Sequence, residues 1–189
     1  MNNTESYHKL TECGHTGIWM PEMEFLPVDK MEYRRELWSD QLYIDDMTVF
    51  AVDGGGNLYA WRDDDSVVYI DTGAGTSREF APSLADAIFR RIVEFANGDY
   101  TDMCSDEEKA DMSPDDAEYY TSEHEAVELL KQYNSTFGCY FGADRREYID
   151  SLIERGFLPD MNAFITEEEL IQVIHERIKA GDTITDICR

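Results

Sequence analysis

The chain of 189 residues has few basic side chains, few cysteines and few prolines for its length. Its 16 Lys and Arg residues face 41 Asp and Glu residues, which gives a formal net charge of −25 and an isoelectric point near 4.2. Such a chain repels phosphate backbones and anionic lipid surfaces, so direct binding to nucleic acid or membranes is disfavoured and a basic partner is allowed. The five prolines, with 42% hydrophobic and 12% aromatic residues, argue against an intrinsically disordered chain.

Long hydrophobic runs and a secretory signal are also missing. No stretch of about 18 apolar residues occurs, which a membrane-spanning helix would need. The N-terminal segment MNNTESYHKLTECG has neither a basic nor an apolar signal region. We therefore expect a cytoplasmic protein, whose thiols stay reduced.

No motif for a metal site, a cofactor or a catalytic nucleophile stands out. The four cysteines form no CxxC pair, and the four histidines form no HxH or HExxH pair. With 41 carboxylates, acid pairs for general acid–base catalysis can be drawn almost anywhere, so none is singled out. The sequence predicts a protein that is not an enzyme and carries no cofactor. A metal-dependent enzyme built on the acid clusters remains the less favoured reading.

Three short runs between Asp46 and Asp71 are rich in β-branched and aromatic residues. They read DMTVFAVD, NLYAWR and SVVYID, with DGGG and DDD between them. This pattern predicts a three-stranded antiparallel meander. Glycines tolerate φ > 0, so DGGG predicts a hairpin turn rather than a phosphate-binding loop, whose lysine and following helix are missing. The run Asp63, Asp64, Asp65 lacks EF-hand spacing and predicts a solvated hairpin tip rather than a Ca²⁺ site.

Capping signals predict helices in the rest of the chain. MEYRRELW can form a short helix, TGAGTS predicts a loop, and Ser83 with Asp86 opens APSLADAIFRRIVEFANG. Further helix starts are predicted at Ser113, Ser122 and Thr166, and helix ends at Gly98, Gly156 and Gly181. The C-terminal half is therefore predicted to be helical.

The segment Thr101–Leu130 is the most negative part of the chain. It holds eleven Asp and Glu residues against Lys109 alone. Such a charge run favours a domain boundary or a mobile insertion. We call it the acidic segment.

The segment VFAVDGGGNLYAWRDDDSVVYIDT, followed by FAPSLADAIFRRIVEF, resembles the SUKH superfamily of Smi/Knr-type domains. The turn of that family matches Asp53–Asn57, its next two strands match Leu58–Trp61 and Val67–Asp71, and its helix start matches Ala81–Ser83. The likeness spans about fifty residues, roughly a quarter of the chain. The family's usual N-terminal helix has only a partial counterpart here.

The resemblance implies an α+β domain in which an antiparallel or mixed sheet packs against helices, with no catalytic residues. The prediction is a SUKH-like domain over residues 1–98 and an acidic, mainly helical extension over residues 99–189. For bacterial members it implies an immunity protein that binds and neutralises a cognate toxin, such as a nuclease, through a basic toxin surface. The alternative is a regulatory or scaffold module of the same superfamily.

The acidic excess suggests which residues would contact such a partner. Carboxylates on or beside the meander can pair with Lys or Arg of the toxin, and an aromatic ring can add buried area. Large aromatic residues such as Trp61, Tyr59 and Tyr69 more often serve as core or sheet-face packing than as ligand platforms, and those that point outward from an exposed face become candidate hot spots. The predicted partner-binding residues are Asp53, Trp61, Asp63, Asp64, Asp65 and Asp71.

Overall fold

The structure, a computed structural model, describes residues 2–15, 20–98, 101–181 and 184–189. The protein is α+β, with an antiparallel six-stranded sheet and with helices that include several in the C-terminal half of the chain. This confirms the predicted class. It divides into two compact units, Met1–Ala87 with His175–Arg189, and Ile88–Ile174. Within the described ranges, no helix combines the length and the apolar character needed to cross a membrane.

The first unit contains the six-stranded sheet and, among its described residues, two complete α-helices. Its helices and strands are α1 (Asn3–Glu12), β1 (Glu24–Phe25), α2 (Val28–Ser39), β2 (Thr48–Val52), β3 (Leu58–Trp61), β4 (Val67–Asp71), β5 (Thr76–Ala81) and β8 (Ile184–Asp186). The predicted helix over 31–38 and the predicted three-stranded meander are confirmed as α2 and as β2, β3 and β4.

The sheet has the strand order β1-β2-β3-β4-β5-β8, and every neighbouring pair is antiparallel. The strands β1, β5 and β8 also belong to the sheet and were not part of the predicted meander. The predicted loop over Thr72–Ser77 is wrong in its last two residues, because β5 begins at Thr76 and pairs with β4. Thr76 and Ser77 follow a glycine-rich stretch, so their local sequence does not indicate a strand. Their backbone pairing with β4 makes them the start of β5.

An aromatic cluster forms the core between α1 and the sheet. The centroid of the Tyr7 ring lies 5.8 Å from that of Phe50 and 5.6 Å from that of Trp61. The Phe50 and Trp61 rings stack with their centroids 5.1 Å apart. Tyr7 is 1% exposed, and its hydroxyl bonds to the backbone oxygens of Leu26 and Phe50. The helix α1, which the sequence patterns did not predict, is thereby anchored to the sheet by one side chain that is both apolar and polar.

The second unit is mainly helical. Its elements are the greater part of α3 (Leu84–Asn97), β6 (Met103–Cys104), α4 (Asp106–Asp111), α5 (Pro114–Ala117), β7 (Thr121–Ser122), α6 (Glu123–Phe137), a 3₁₀ turn (Gly138–Tyr140), α7 (Ala143–Arg155) and α8 (Glu167–Val173). The strands β6 and β7 form a small parallel pair. Ring pairs such as Phe95 with Tyr133 and Phe157 with Phe164 fill its core.

The predicted capping signals are largely confirmed. Ser113 and Ser122 cap α5 and α6, and Ser122 forms a full capping box with Glu125. Gly98 and Gly156 end their helices with φ of +88° and +67°, a conformation that glycine adopts without a Cβ clash. Within the acidic segment Ser105 caps α4 with a second capping box, so the segment is folded into short helices.

The end of the last helix differs from its prediction. Thr166 caps α8 as predicted, but the helix changes to a π turn over Ile174–Ile178 and stops there, three residues before Gly181. Lys179 has φ of +60° and takes the role that was assigned to the glycine. The side chain of Glu169 bonds to Tyr148 and Arg155 rather than completing a capping box.

Candidate partner-binding surfaces

The six predicted residues lie at two opposite ends of the sheet. In an antiparallel meander, the β2–β3 and β4–β5 turns share one end and the β3–β4 turn lies at the other. Asp53 and Asp71 therefore share one end, which we call the turn end. Asp63, Asp64 and Asp65 form the acidic tip at the other end. The structure thus does not bring all six residues into one patch.

Asp53 at the turn end is tied into a hydrogen-bond network. Its carboxylate accepts bonds from the Asn57 backbone N–H at 2.8 Å, from Asn57 Nδ2 at 2.9 Å and from the Tyr69 hydroxyl at 2.8 Å. Partial burial alone would raise the pKa of Asp53, but these hydrogen bonds outweigh burial and hold its pKa below the usual value. Asn57 Oδ1 in turn accepts the Thr72 N–H at 3.1 Å. This network joins the two turns, so Asp53 has a structural role at this end.

Asp71 caps the β4–β5 turn from the end of β4. Its Oδ1 accepts the Ala74 N–H at 2.8 Å. The residue is half-buried and faces the same side of the sheet as Tyr69 and Arg78, because positions two apart in a strand share a face. Asp71 therefore borders a pocket on this face, which is lined by Tyr69, Asp71, Thr76, Arg78 and Ile184.

The acidic tip is built on a tight turn with a left-handed residue. Asp65 has φ of +66°, and its Oδ1 accepts the Asn3 N–H at 2.9 Å. Asp64 accepts the Ser66 hydroxyl at 2.6 Å and the Ser66 N–H at 3.0 Å, which lower the pKa of this fully exposed carboxylate. Asp63 and Asp64 are exposed, so the tip presents two carboxylates to solvent, as expected of a solvated hairpin tip.

Trp61 offers little surface of its own. It is 5% exposed and packs in the aromatic cluster, which confirms the core alternative for this ring and for Tyr59. One edge of Trp61 reaches a groove of about 270 Å³ bounded by α1, α2 and β2. The groove has a mixed lining, in which apolar side chains such as Met31 and Met47 alternate with polar ones, and its ionisable residues are His8, Glu32 and Arg35. The guanidinium of Arg35 is already bonded to Glu32 and to the Asp45 backbone oxygen.

The acidic segment carries the denser charged surface. Ten of its eleven carboxylate residues are exposed, and Glu123 alone among them is half-buried. Lys109 bonds to Glu125 and to the Tyr120 backbone oxygen at 2.7 Å, so its charge is already engaged. The backbone and side-chain bonds from Ser105 to Glu108 lower the pKa of that carboxylate, and the Ser122 hydroxyl does so for Asp106. These two carboxylates therefore keep their negative charge to a lower pH than an ordinary carboxylate does.

Two tyrosines stand within this acidic surface. Tyr119 is 78% exposed and Tyr120 is 37% exposed, directly after the short helix α5. Tyrosine is one of the residue types that are enriched in binding hot spots. Sequence reasoning did not single them out. The sequence does contain an indication, because the two tyrosines are adjacent and have few apolar neighbours in the chain. Such a stretch offers no apolar helix face or strand face with which the rings could be buried.

Potential metal ligands lie apart from one another in the described ranges. Across the described ranges, no group of three or more His, Cys, Asp or Glu side chains is placed to hold a metal ion. The four cysteines are unpaired thiols, and Cys104 is buried, which raises its pKa.

Comparison with models of known protein families, with curated proteins and with solved structures finds no match for this chain. The SUKH resemblance of the meander therefore stays a prediction.

Proposed function

We propose that this protein is a non-enzymatic immunity protein that binds a cognate bacterial toxin and neutralises it by steric and electrostatic masking. The observation that carries the proposal is the exposed acidic surface around Tyr119. The resemblance of the meander to SUKH domains is the second support. A toxin that cleaves nucleic acid needs a basic substrate groove, and a strongly acidic surface is complementary to it in charge.

The acidic surface around Tyr119 is the better candidate for the toxin contact than the turn end. At the turn end, Asp53 and Asp71 bond to backbone and side-chain groups of their own turns. Around Tyr119, most carboxylates are exposed and point to solvent, and the ring adds apolar area that charge alone lacks. The acidic tip is a smaller second contact.

The first test is co-expression with the toxin encoded beside the gene of this protein. We expect rescued growth and a complex at low salt. A toxic neighbour that is neither bound nor neutralised would refute the proposal. A stable complex with a housekeeping protein, without a toxin gene nearby, would instead favour the regulatory module.

The surface is tested with two charge-matched variants. In the first, Asp111→Asn, Asp115→Asn and Glu118→Gln remove three exposed carboxylates from the eight residues that precede Tyr119 in the acidic segment. In the control, Glu147→Gln, Glu154→Gln and Glu168→Gln remove three exposed carboxylates from α7 and α8. We expect the first variant, and Tyr119→Ala, to weaken toxin binding by about tenfold or more, as hot-spot truncations do. Equal losses in both triple variants would show that only net charge matters.

A further inference from the structure

The face of the sheet that carries β4, β5 and β8 contains a pocket of about 290 Å³. It is lined by Tyr69, Asp71, Thr76, Arg78 and Ile184. This pocket plays no part in the proposed contact with a toxin. Its lining combines one cationic, one anionic and two apolar walls, which is the composition of a small-molecule site with a few convergent polar groups.

The strand register puts the two charged side chains on one face but not directly opposite each other. Tyr69 pairs with Arg78, and Asp71 pairs with Thr76. Arg78 and Asp71 are therefore diagonal neighbours, whose separation across a sheet is about 7–8 Å. No ion pair joins these two side chains in the part of the chain that the structure describes. The gap between them is open to a ligand.

Among the described residues, an aromatic ring and not a carboxylate holds Arg78 in place. Its guanidinium lies 4.9 Å from the centroid of the Tyr69 ring, a cation–π arrangement that fixes its position. Its Nε–H is buried and has no hydrogen-bond partner among the described residues. A buried donor without an acceptor destabilises the fold. In a chain with 41 acidic residues, a donor without a carboxylate acceptor is unexpected. A carboxylate in the pocket would pair with the charge of the guanidinium, which lines the pocket.

Asp71 supplies the opposite charge. Its Oδ1 accepts the Ala74 N–H, whereas its Oδ2 has no hydrogen-bond partner within the described ranges. Ile184 forms an apolar wall that is 69% exposed. A cationic group beside Asp71 and an apolar group along Ile184 would complete the lining.

We propose that this pocket binds a free α-amino acid with an apolar side chain. The carboxylate of the ligand pairs with Arg78, its ammonium group pairs with Asp71, and its side chain lies along Ile184 and Tyr69. The ligand has both charges and no net charge. It therefore avoids the repulsion that a net charge of −25 exerts on an anion, and it meets both charged walls at once.

The test is calorimetric titration of the whole protein with L-leucine, L-valine and L-phenylalanine, each beside its N-acetyl and its amide derivative. The N-acetyl form lacks the ammonium group and the amide lacks the carboxylate. We expect saturable binding of at least one free amino acid and about tenfold weaker binding of each of its two derivatives, because each loses one charge-assisted contact. Binding that tolerates either block, or the absence of binding by all three amino acids, overturns the proposal.

Variants locate the site. Arg78→Gln and Asp71→Asn are expected to abolish the amino-acid binding, and the asparagine can still accept the Ala74 N–H and keep the turn. Arg34→Gln on α2 and Asp115→Asn on α5 remove the same charges away from the pocket and are expected to leave binding unchanged. Circular dichroism confirms that each variant is folded. Binding that survives in folded Arg78→Gln and Asp71→Asn proteins would contradict the assignment.

Discussion

At the scale of single residues, buried polar atoms decide how α1 is attached to the sheet. Tyr7 donates its hydroxyl toward two backbone oxygens in the core. Burial raises the pKa of Tyr7, so the hydroxyl remains a neutral donor over the whole range in which proteins are handled. Asn3, which is 3% exposed, bonds to Asp65 and to the Leu84 N–H. Both residues connect the N-terminal helix to distant parts of the chain.

Tyr7→Phe tests this attachment. The phenylalanine keeps the ring contacts but leaves the Leu26 oxygen without this donor, whereas the Phe50 oxygen still accepts the Leu26 N–H, so we expect the free energy of unfolding to fall by about 1–3 kcal/mol. Urea denaturation followed by circular dichroism measures it. Tyr33→Phe on α2, where the ring is 59% exposed, is the matched control and should change stability by no more than about 0.5 kcal/mol. Similar losses in both variants would contradict this role of the hydroxyl.

Asp53 links stability to pH. Because its pKa is lowered in the folded protein, its contribution is present above the ordinary aspartate pKa of about 3.9 and is lost as the pH falls through the folded value. Asp53→Asn should therefore lower the urea midpoint at pH 7. The difference from the parent protein should shrink at about pH 3, which lies below the ordinary aspartate pKa. Asp63→Asn removes one exposed charge from the acidic tip and serves as the control. A deficit of Asp53→Asn that stays constant with pH would contradict the linkage.

At the scale of elements, the β4–β5 turn packs against a residue that is distant in the chain, Cys188, which follows β8. Gly75 has φ of +66°, and a Cβ placed there would lie 2.0 Å from the Cys188 sulfur. Gly56 in the β2–β3 turn has a similar φ of +86°, but a Cβ there would meet nothing within 4 Å. Both glycines are required by the backbone, and only Gly75 is also required by packing.

These two glycines give a graded prediction. Gly56→Ala should cost about 1–2 kcal/mol, the strain of a left-handed alanine. Gly75→Ala should cost more, because it adds the clash with Cys188. In a Cys188→Ala background the cost of Gly75→Ala should fall to the Gly56→Ala value. Denaturation of the parent, Gly56→Ala, Gly75→Ala, Cys188→Ala and Gly75→Ala/Cys188→Ala proteins measures it. If Gly75→Ala and Gly56→Ala are equally destabilised, the close approach of Cys188 does not limit packing in solution.

Element by element, the sequence predicted best where the controlling contacts are local. The caps at Ser113 and Ser122 bond to residues three positions away, and the meander turns involve residues within four positions. The strand β8 could not be predicted in this way. All three of its residues are exposed and its pattern is not that of a buried strand, so only its pairing with β5 makes it a strand.

At the scale of the whole molecule, the charge is the dominant property. A net charge of −25 destabilises a compact state through self-repulsion, and salt screens this repulsion. Raising NaCl from low concentration to about 0.5 M, where the screening length falls to a few ångströms, should therefore raise the melting temperature. Calorimetry measures it.

A variant with fewer charges provides the control for the salt effect. The protein in which Asp111, Asp115 and Glu118 are replaced by amides should show a smaller rise, because less repulsion remains to be screened. A melting temperature that is flat or falls with NaCl would mean that the carboxylates are compensated within the fold.

The sequence by itself determined the charge, the α+β class, the meander and most helix starts, because these depend on composition or on residues a few positions apart. It also located the acidic segment. Only the tertiary structure decided that Asp53 and Asp71 lie at one end of the sheet and the acidic tip at the other, that Trp61 is buried, and that Arg78 and Asp71 border one pocket. These outcomes depend on strand pairing between distant segments, which the local pattern of residues does not specify.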